Sequence, residues 1–285
     1  MEWISKSNIL IVGLGLIGGS YAKALKRLGY HISAIDKSAD SINYALSENI
    51  IDEGFTDISS ATVSDADAII FALYPGAFKN WISENQHLFK SGALLTDVTG
   101  VKSCIVYDIQ NMLRDDVEFI AAHPMAGREV SGVKNSDDEI FRNANYIVTP
   151  TSKNSLEAIE WCKTLGKILG FSRVSVLSPE EHDDVIGFVS QLTHVIAVAL
   201  MTCNDNTNLA SYTGDSFRDL TRIARINENM WSELFLLNKD VLLNQMDKFI
   251  DEFKTIRDML SSGDREALCD KMRLSTKRRA YFDKK

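Results

Sequence analysis

A chain of 285 residues, 45% hydrophobic and 25% charged, is long enough for about two domains and is neither a disordered nor a fibrous composition. Its net charge of −8 excludes a nucleic-acid binder that works through a global basic field, so an anionic ligand has to be met by local cations. The start, MEWISKSN, lacks a secretory pattern, no apolar run approaches the ~18 residues of a membrane span, and four cysteines lie scattered without C-x-x-C pairs. The expectation is a cytoplasmic protein with reduced thiols, no membrane or nucleic-acid partner and no metal.

The first element is read from NILIVGLGLIGGS, residues 8–20, in which Ile9, Leu10, Ile11 and Val12 form a buried strand that stops at Gly13. Gly13, Gly15 and Gly18 give the G-x-G-x-x-G spacing: a tight turn, a close approach of backbone to a pyrophosphate, and close packing of helix on strand. The phosphates belong at the N-terminus of the following helix, at Leu16 and Ile17. A second apolar run, residues 31–35, closes a βαβ unit and ends in Asp36. That residue stands near the usual offset for an acid that binds the adenosine ribose, and its charge favours NAD over NADP.

Ser38 caps a helix through about Glu48; residues 65–73 (DADAIIFAL) read as a third strand ending at Tyr74-Pro75-Gly76, with a helix from Ala77. Residues 92–97 (GALLTD) and 117–122 (VEFIAA) are the fourth and fifth strands, with helical text between them. This alternation predicts a Rossmann-type, doubly wound, mainly parallel α/β sheet with helices on both faces. Ligands of such sheets lie beyond the strands' carboxyl ends, here the glycine loop, Asp36, Tyr74, the Asp97-Val98-Thr99-Gly100 turn and His123. Further strands are expected at residues 146–148 and 173–177, with a helix at 156–169 between them.

Beyond Pro179 the strands stop, which puts a boundary there: residues 1–179 bind the dinucleotide and residues 180–285 form an all-helical part. Val185, Ile186, Val189, Leu192, Ile196 and Ala199 have helical spacing, and residues 230–260 carry more apolar surface than a lone helix needs. A helical substrate-binding domain that forms a homodimer is expected, a purely intrachain bundle being the alternative.

Three places carry candidate chemistry. His123, in HPMAGRE, can accept a proton from a substrate hydroxyl, and activity should then fall as the imidazole protonates across the ordinary histidine range. Gly187, Ser190, Gln191 and His194 fall on one α-helical stripe, which lines a site or makes a polar contact with the neighbouring domain. In SFRDLTRIA, Arg222 is placed either to pair with Asp219 on a solvated face or to hold an anionic substrate.

The ordered motifs GLGLIGGS, DVTGVK, HPMAGRE, SQLTHVIAVAL and SFRDLTRIARINENMW resemble the prephenate dehydrogenase family, including its arogenate and cyclohexadienyl relatives, over essentially the whole chain. The resemblance implies NAD-dependent oxidative decarboxylation of prephenate to 4-hydroxyphenylpyruvate in tyrosine biosynthesis. It implies that His123 accepts the hydrogen bond of the ring hydroxyl, His194 is a second active-site histidine and Arg222 holds a carboxylate. Glu129 and Asp219 resemble the acidic partners that orient and gate these groups, and Trp231 the aromatic that reaches a neighbouring subunit's site. Two motifs depart from the family: in DVTGVK, Gly100 stands where serine is common, and in SQLTH, Gln191 and Thr193 replace the common histidine and proline. They leave prephenate or arogenate open as the substrate, with a non-catalytic NAD-binding scaffold as a third reading. No C-terminal regulatory domain is expected.

Overall fold

The computed structural model describes residues 7–283; most of the MEWISKSN reading lies outside the described residues. The chain divides between Asn238 and Lys239 into two compact units.

The first unit opens with β1 (Asn8–Val12), α1 (Leu16–Arg27), β2 (His31–Ile35), α2 (Ala39–Ser47), β3 (Glu53–Phe55), α3 (Ser60–Ser64) and β4 (Ala68–Phe71). It continues through α4 (Pro75–Asn85), β5 (Leu94–Asp97), α5 (Ser103–Met112) and β6 (Glu118–Phe119). These strands form one six-stranded parallel sheet in the order β3-β2-β1-β4-β5-β6, the doubly wound order of a dinucleotide fold. The topological reversal between β1 and β4 opens the crevice beside the glycine loop.

The pleat distributes the apolar run of β1 to both faces. Ile9 and Ile11 join one core with Ile32, Ala34 and Ile70; Leu10 and Val12 join the other with Ile69, Phe71 and Leu95. A strand covered on both sides reads as continuous apolar text for this reason. β3 escaped the sequence reading because its three residues, Glu53, Gly54 and Phe55, hold no pattern; Gly54 lets it close on α2, where a Cβ would stand 2.6 Å from Ile42 Cγ2.

The expected strand at 117–122 is in fact two. β6 pairs with β5, and after Ile120 the chain leaves the large sheet to form β7 (Ala121–Met125). β7 pairs antiparallel with β8 (Asn145–Thr149), which pairs in parallel with β9 (Arg173–Val176), across α6 (Leu156–Ile168). His123 therefore lies inside a strand, opposite Ile147, in a small second sheet rather than in a loop after the first.

From Pro179 the unit is helical: α7 (Pro179–Ile186), a π-helical stretch Gly187–Leu192, α8 (Thr193–Thr202), α9 (Asp215–Thr221) and α10 (Glu228–Leu237). Ser178 and Glu181 make a capping box at the start of α7, with Pro179 in the first turn. Residues 179–202 form one continuous helix of 24 residues that contains an 18-residue window of mean hydropathy 1.8, long and apolar enough by length and composition to cross a membrane, with 28% of that window buried. This corrects the expectation that no run approaches span length: Ser190, Gln191, Thr193 and His194 interrupt the apolar letters without lowering the average enough.

The second unit consists of α11 (Lys239–Ser262) and α12 (Arg265–Arg279), joined by a turn in which Gly263 has φ +69. The two helices pack on each other, with Lys271 Nζ 2.8 Å from Glu252 Oε1.

Candidate active site

The glycine loop is shaped by what side chains would strike. Gly13 turns at φ +99, and a Cβ on Gly18 would fall 2.0 Å from the Gly13 carbonyl oxygen, so α1 can approach β1 only with glycine there. At Gly15 a Cβ would meet nothing within 4 Å, leaving open space at the head of α1. No side chain caps that helix and no acid occupies its first turn, so the N–H groups around Leu16 and Ile17 present a positive, uncapped end. At the end of β2, Asp36 accepts from Leu14 N (2.6 Å) and Ser38 N (2.8 Å), which fixes its carboxylate beside the loop. This cradle fits the pyrophosphate and ribose of a dinucleotide.

The turn after β5 was expected to touch the cofactor through Asp97 and Thr99; in the structure both side chains are engaged within the protein. The Asp97 side chain is fully buried: Oδ1 accepts from Ala122 N (3.1 Å), and Oδ2 from Lys102 Nζ (2.7 Å), Thr99 N (3.0 Å) and the Thr99 hydroxyl. Lys102 Nζ, also fully buried, donates to the Ala122 carbonyl at 2.6 Å as well. A buried charge needs such a set of partners, so both acid and threonine are consumed in holding the lysine and the start of β7. Tyr74, at the head of α4, is 44% exposed and its phenol oxygen accepts from Asn227 Nδ2 at 3.1 Å. Gly76 N donates to Glu233 Oε1 (2.6 Å), a second tie between the β4–α4 turn and α10.

His123 is half-buried on β7, with Nε2 toward the turn after β5. A Cβ on Gly100 would lie 3.7 Å from that nitrogen and 3.6 Å from Leu234 Cδ1, so the backbone of Gly100 and the side chain of α10 flank the imidazole. Burial, the adjacent His182 ring and the Lys102 ammonium together push the His123 pKa well below its ordinary value. The neutral, proton-accepting form is thereby dominant at neutral pH.

His194 stands on α8 with its ring stacked on Trp231, centroids 3.7 Å apart. Its Nδ1 lies 2.9 Å from the Ser190 carbonyl, which can only accept, so Nδ1 is the donor and Nε2 of the neutral ring is free to accept. Burial lowers its pKa, Arg222 adds to the effect, and the Ser190 carbonyl and Glu129 oppose it. Trp231 is thus placed against a histidine of its own chain.

Arg222 forms an ion pair with Glu129 through Nη1 and not with Asp219, which is exposed on α9; Arg218 takes Asp215 instead. The arginine side chain is 63% exposed, so a substrate carboxylate can reach it by displacing Glu129.

Gln191 is the other correction. It is 1% exposed, donates to the Leu234 carbonyl (3.2 Å) and accepts from Asn238 Nδ2 (2.8 Å), so its amide ties helices and does not line the site. The stripe drawn through residues 187, 190, 191 and 194 assumed an α-helix, whereas the π turn across Gly187–Leu192 widens the helix and breaks that period.

Two groups escaped the sequence reading: His182, whose Nε2 is 2.9 Å from His123 Nδ1, and Asp183, whose Oδ1 is 2.8 Å from His182 Nδ1. The signal available was a histidine within EEHDD on a helix with one buried face.

A doubly wound sheet with an uncapped glycine-loop helix, an acid at the end of β2 and an imidazole base at the crevice defines a dinucleotide-dependent oxidoreductase with a helical second half. The chain belongs to the prephenate dehydrogenase family: residues 21–184 match its nucleotide-binding domain and residues 178–274 its dimerization domain. It is 35% identical over 271 residues to the prephenate dehydrogenase of Bacillus subtilis, covering 92% of this chain and 72% of that protein. It is 30% identical to the cyclohexadienyl dehydrogenase of Zymomonas mobilis, over 95% and 94% of the two chains. The crystal structure of prephenate dehydrogenase from Aquifex aeolicus with hydroxyphenyl propionate and NAD+ superposes with a TM-score of 0.90 at 33% identity, covering 99% of this chain and 100% of that one.

Proposed function

We infer that this chain is an NAD-dependent prephenate dehydrogenase that converts prephenate and NAD to 4-hydroxyphenylpyruvate, carbon dioxide and NADH. The observation that carries the reading is the neutral His123 beside Gly100, together with the Arg222–Glu129 pair whose charges act on His194, in a chain that matches both domains of the family. NAD, when bound, supplies the hydride acceptor. Gly13, Gly15, Leu16, Ile17 and Gly18 would receive its pyrophosphate and Asp36 its adenosine ribose.

His123 Nε2 accepts the proton of the substrate's ring hydroxyl. Arg222 takes a substrate carboxylate through its guanidinium, with Glu129 as the resident anion it exchanges. The His194–Trp231 stack gives the site a flat apolar wall and an Nε2 acceptor. Loss of the ring carboxylate makes the ring aromatic, which disfavours reversal.

The missing hydroxyl at Gly100, next to His123 Nε2, keeps arogenate as a second substrate reading. Following NADH formation with prephenate and then arogenate, each with NAD and NADP, separates the readings. Turnover of prephenate with NAD supports the assignment; NAD binding without turnover of any pair selects the non-catalytic scaffold. For the cofactor, Asp36→Ser is expected to lower the NAD over NADP preference about 10-fold or more, since the acid that hydrogen-bonds ribose and repels a 2′-phosphate is gone. Unchanged selectivity would show that another residue reads the ribose.

A homodimer formed through the helical half is part of the proposal. Phe188 (55% exposed), Leu220 (55%) and Leu236 (71%) on helices of the first unit, and Phe253 (65%) and Leu260 (64%) on α11, are open apolar side chains for a second copy of the chain to cover. Light scattering at micromolar concentration should give twice the mass of one chain; a monomeric mass refutes the assembly. The four cysteines are free thiols, which fits the reducing cytoplasm.

A further inference from the structure

We propose that His182 and Asp183 form a positioning relay that fixes the resting proton of His123 on Nδ1, leaving Nε2 as the acceptor; this rests on His123 being the base in the function inferred above. The relay follows from what each atom can do. Asp183 Oδ1 accepts from Lys102 N at 2.8 Å and Oδ2 from Ser103 N at 2.8 Å, so two backbone donors at the head of α5 meet an acceptor-only carboxylate. Burial acts to raise the Asp183 pKa, but the bonds from His182 and the backbone prevail and it lies below its ordinary value.

An ionised Asp183 requires a proton on His182 Nδ1, 2.8 Å away. A neutral His182 then has a bare Nε2, which at 2.9 Å from His123 Nδ1 can only accept. His123 Nδ1 must therefore carry the proton, and its Nε2 is the open lone pair beside Gly100. Nothing else in this chain of atoms is left to choice.

The environment keeps both rings neutral at rest. His182 is 0% exposed and Asp183 5% exposed. The charged groups facing the pair are Asp97 at the end of β5, Lys102 at the head of α5 and Asp183 on α7; burial is the leading cause of the lowered His182 pKa and the Lys102 ammonium adds to it, outweighing the opposing pull of Asp183 and Asp97. When a hydroxyl O–H bond breaks and its proton binds His123 Nε2, the ring becomes an imidazolium. Its Nδ1–H still donates to His182, whose Nδ1–H still donates to the Asp183 anion, so the new charge faces a fixed dipole and an anion and no other proton needs to move. A side chain at 182 that merely filled space would give none of this.

The test reads the proton directly. In the full-length wild-type chain with 15N-labelled histidine at neutral pH, His123 should show a protonated Nδ1 and a bare Nε2; a ring carrying its proton on Nε2 overturns the relay without any variant. In His182→Leu that preference should be lost, with kcat about 100-fold lower and KM within about twofold. His182→Gln, whose amide oxygen can take the place of the lost acceptor, should restore the Nδ1–H form and return kcat to within about 10-fold of wild type. An unchanged His123 tautomer in folded His182→Leu overturns the proposal. Because the resting tautomer is read without substrate, a relay that holds in a protein inactive on prephenate would refute the functional reading and leave the relay standing.

Discussion

His123→Asn is expected to lower kcat by about 10³-fold while KM stays within about twofold, because a general base contributes about 10²–10⁴ and acts only as the proton moves. The asparagine keeps polarity and approximate size but cannot take the proton. The pH profile offers a companion measurement with a definite sign. The base works when neutral, so kcat/KM falls on the acid side as the free enzyme's imidazole protonates. Burial, His182 and Lys102 place the His123 pKa well below its ordinary value of 6.5. The acid limb assigned to His123 should therefore lie below the ordinary histidine range, not across it as the sequence alone suggests, and the profile should be level near neutrality. A limb centred near pH 6.5 would show that His123 is far better solvated than its surroundings imply, or that another group limits the rate.

Arg222→Ala is expected to do the reverse: KM for prephenate rises about 10- to 100-fold, the worth of the ~1.5–3 kcal/mol of hydrogen bonds to a charged group, with a smaller loss in kcat. The substitution also leaves Glu129 without its partner, an anion facing the incoming carboxylate. Stability should hardly change, since the pair is largely solvated: the Arg222 side chain is 63% exposed and that of Glu129 32%. Steady-state kinetics that show the two patterns exchanged, a KM effect at 123 and a kcat effect at 222, would overturn both assignments.

What could be read from the letters depended on range. The glycine spacing, the strand starting at Ile9 and the acid at 36 are local patterns, legible because Gly13 and Gly18 answer steric demands within a few residues or across one adjacent strand, while Gly15 leaves open space at the helix head. His123 was found, but its setting was misread: Pro124 has no N–H to give a ladder and so suggests that a strand has ended. β7 is an edge strand of its sheet, where a proline is tolerated. Asp97 has a partner that the local text does not reveal. An acid at a strand's carboxyl end in this fold suggests a ligand, and only the burial of Lys102, five residues on, shows that the acid has a resident cation. His182 lies 59 residues from His123, and their contact is a tertiary fact that no helical period encodes. Gln191 failed for a backbone reason, one π turn being enough to rotate a polar seam away from its apparent neighbours.

Residence of His123 on the small sheet, away from the strands that carry the glycine loop and Asp36, divides the labour of the molecule between two separately built platforms. One of the ties between them is the carboxylate of Asp97, which grips the backbone at Ala122 with one oxygen and the 99–102 turn with the other. Substitution at 97 is expected to loosen both at once, because the same buried carboxylate holds the start of β7 and the turn that follows β5.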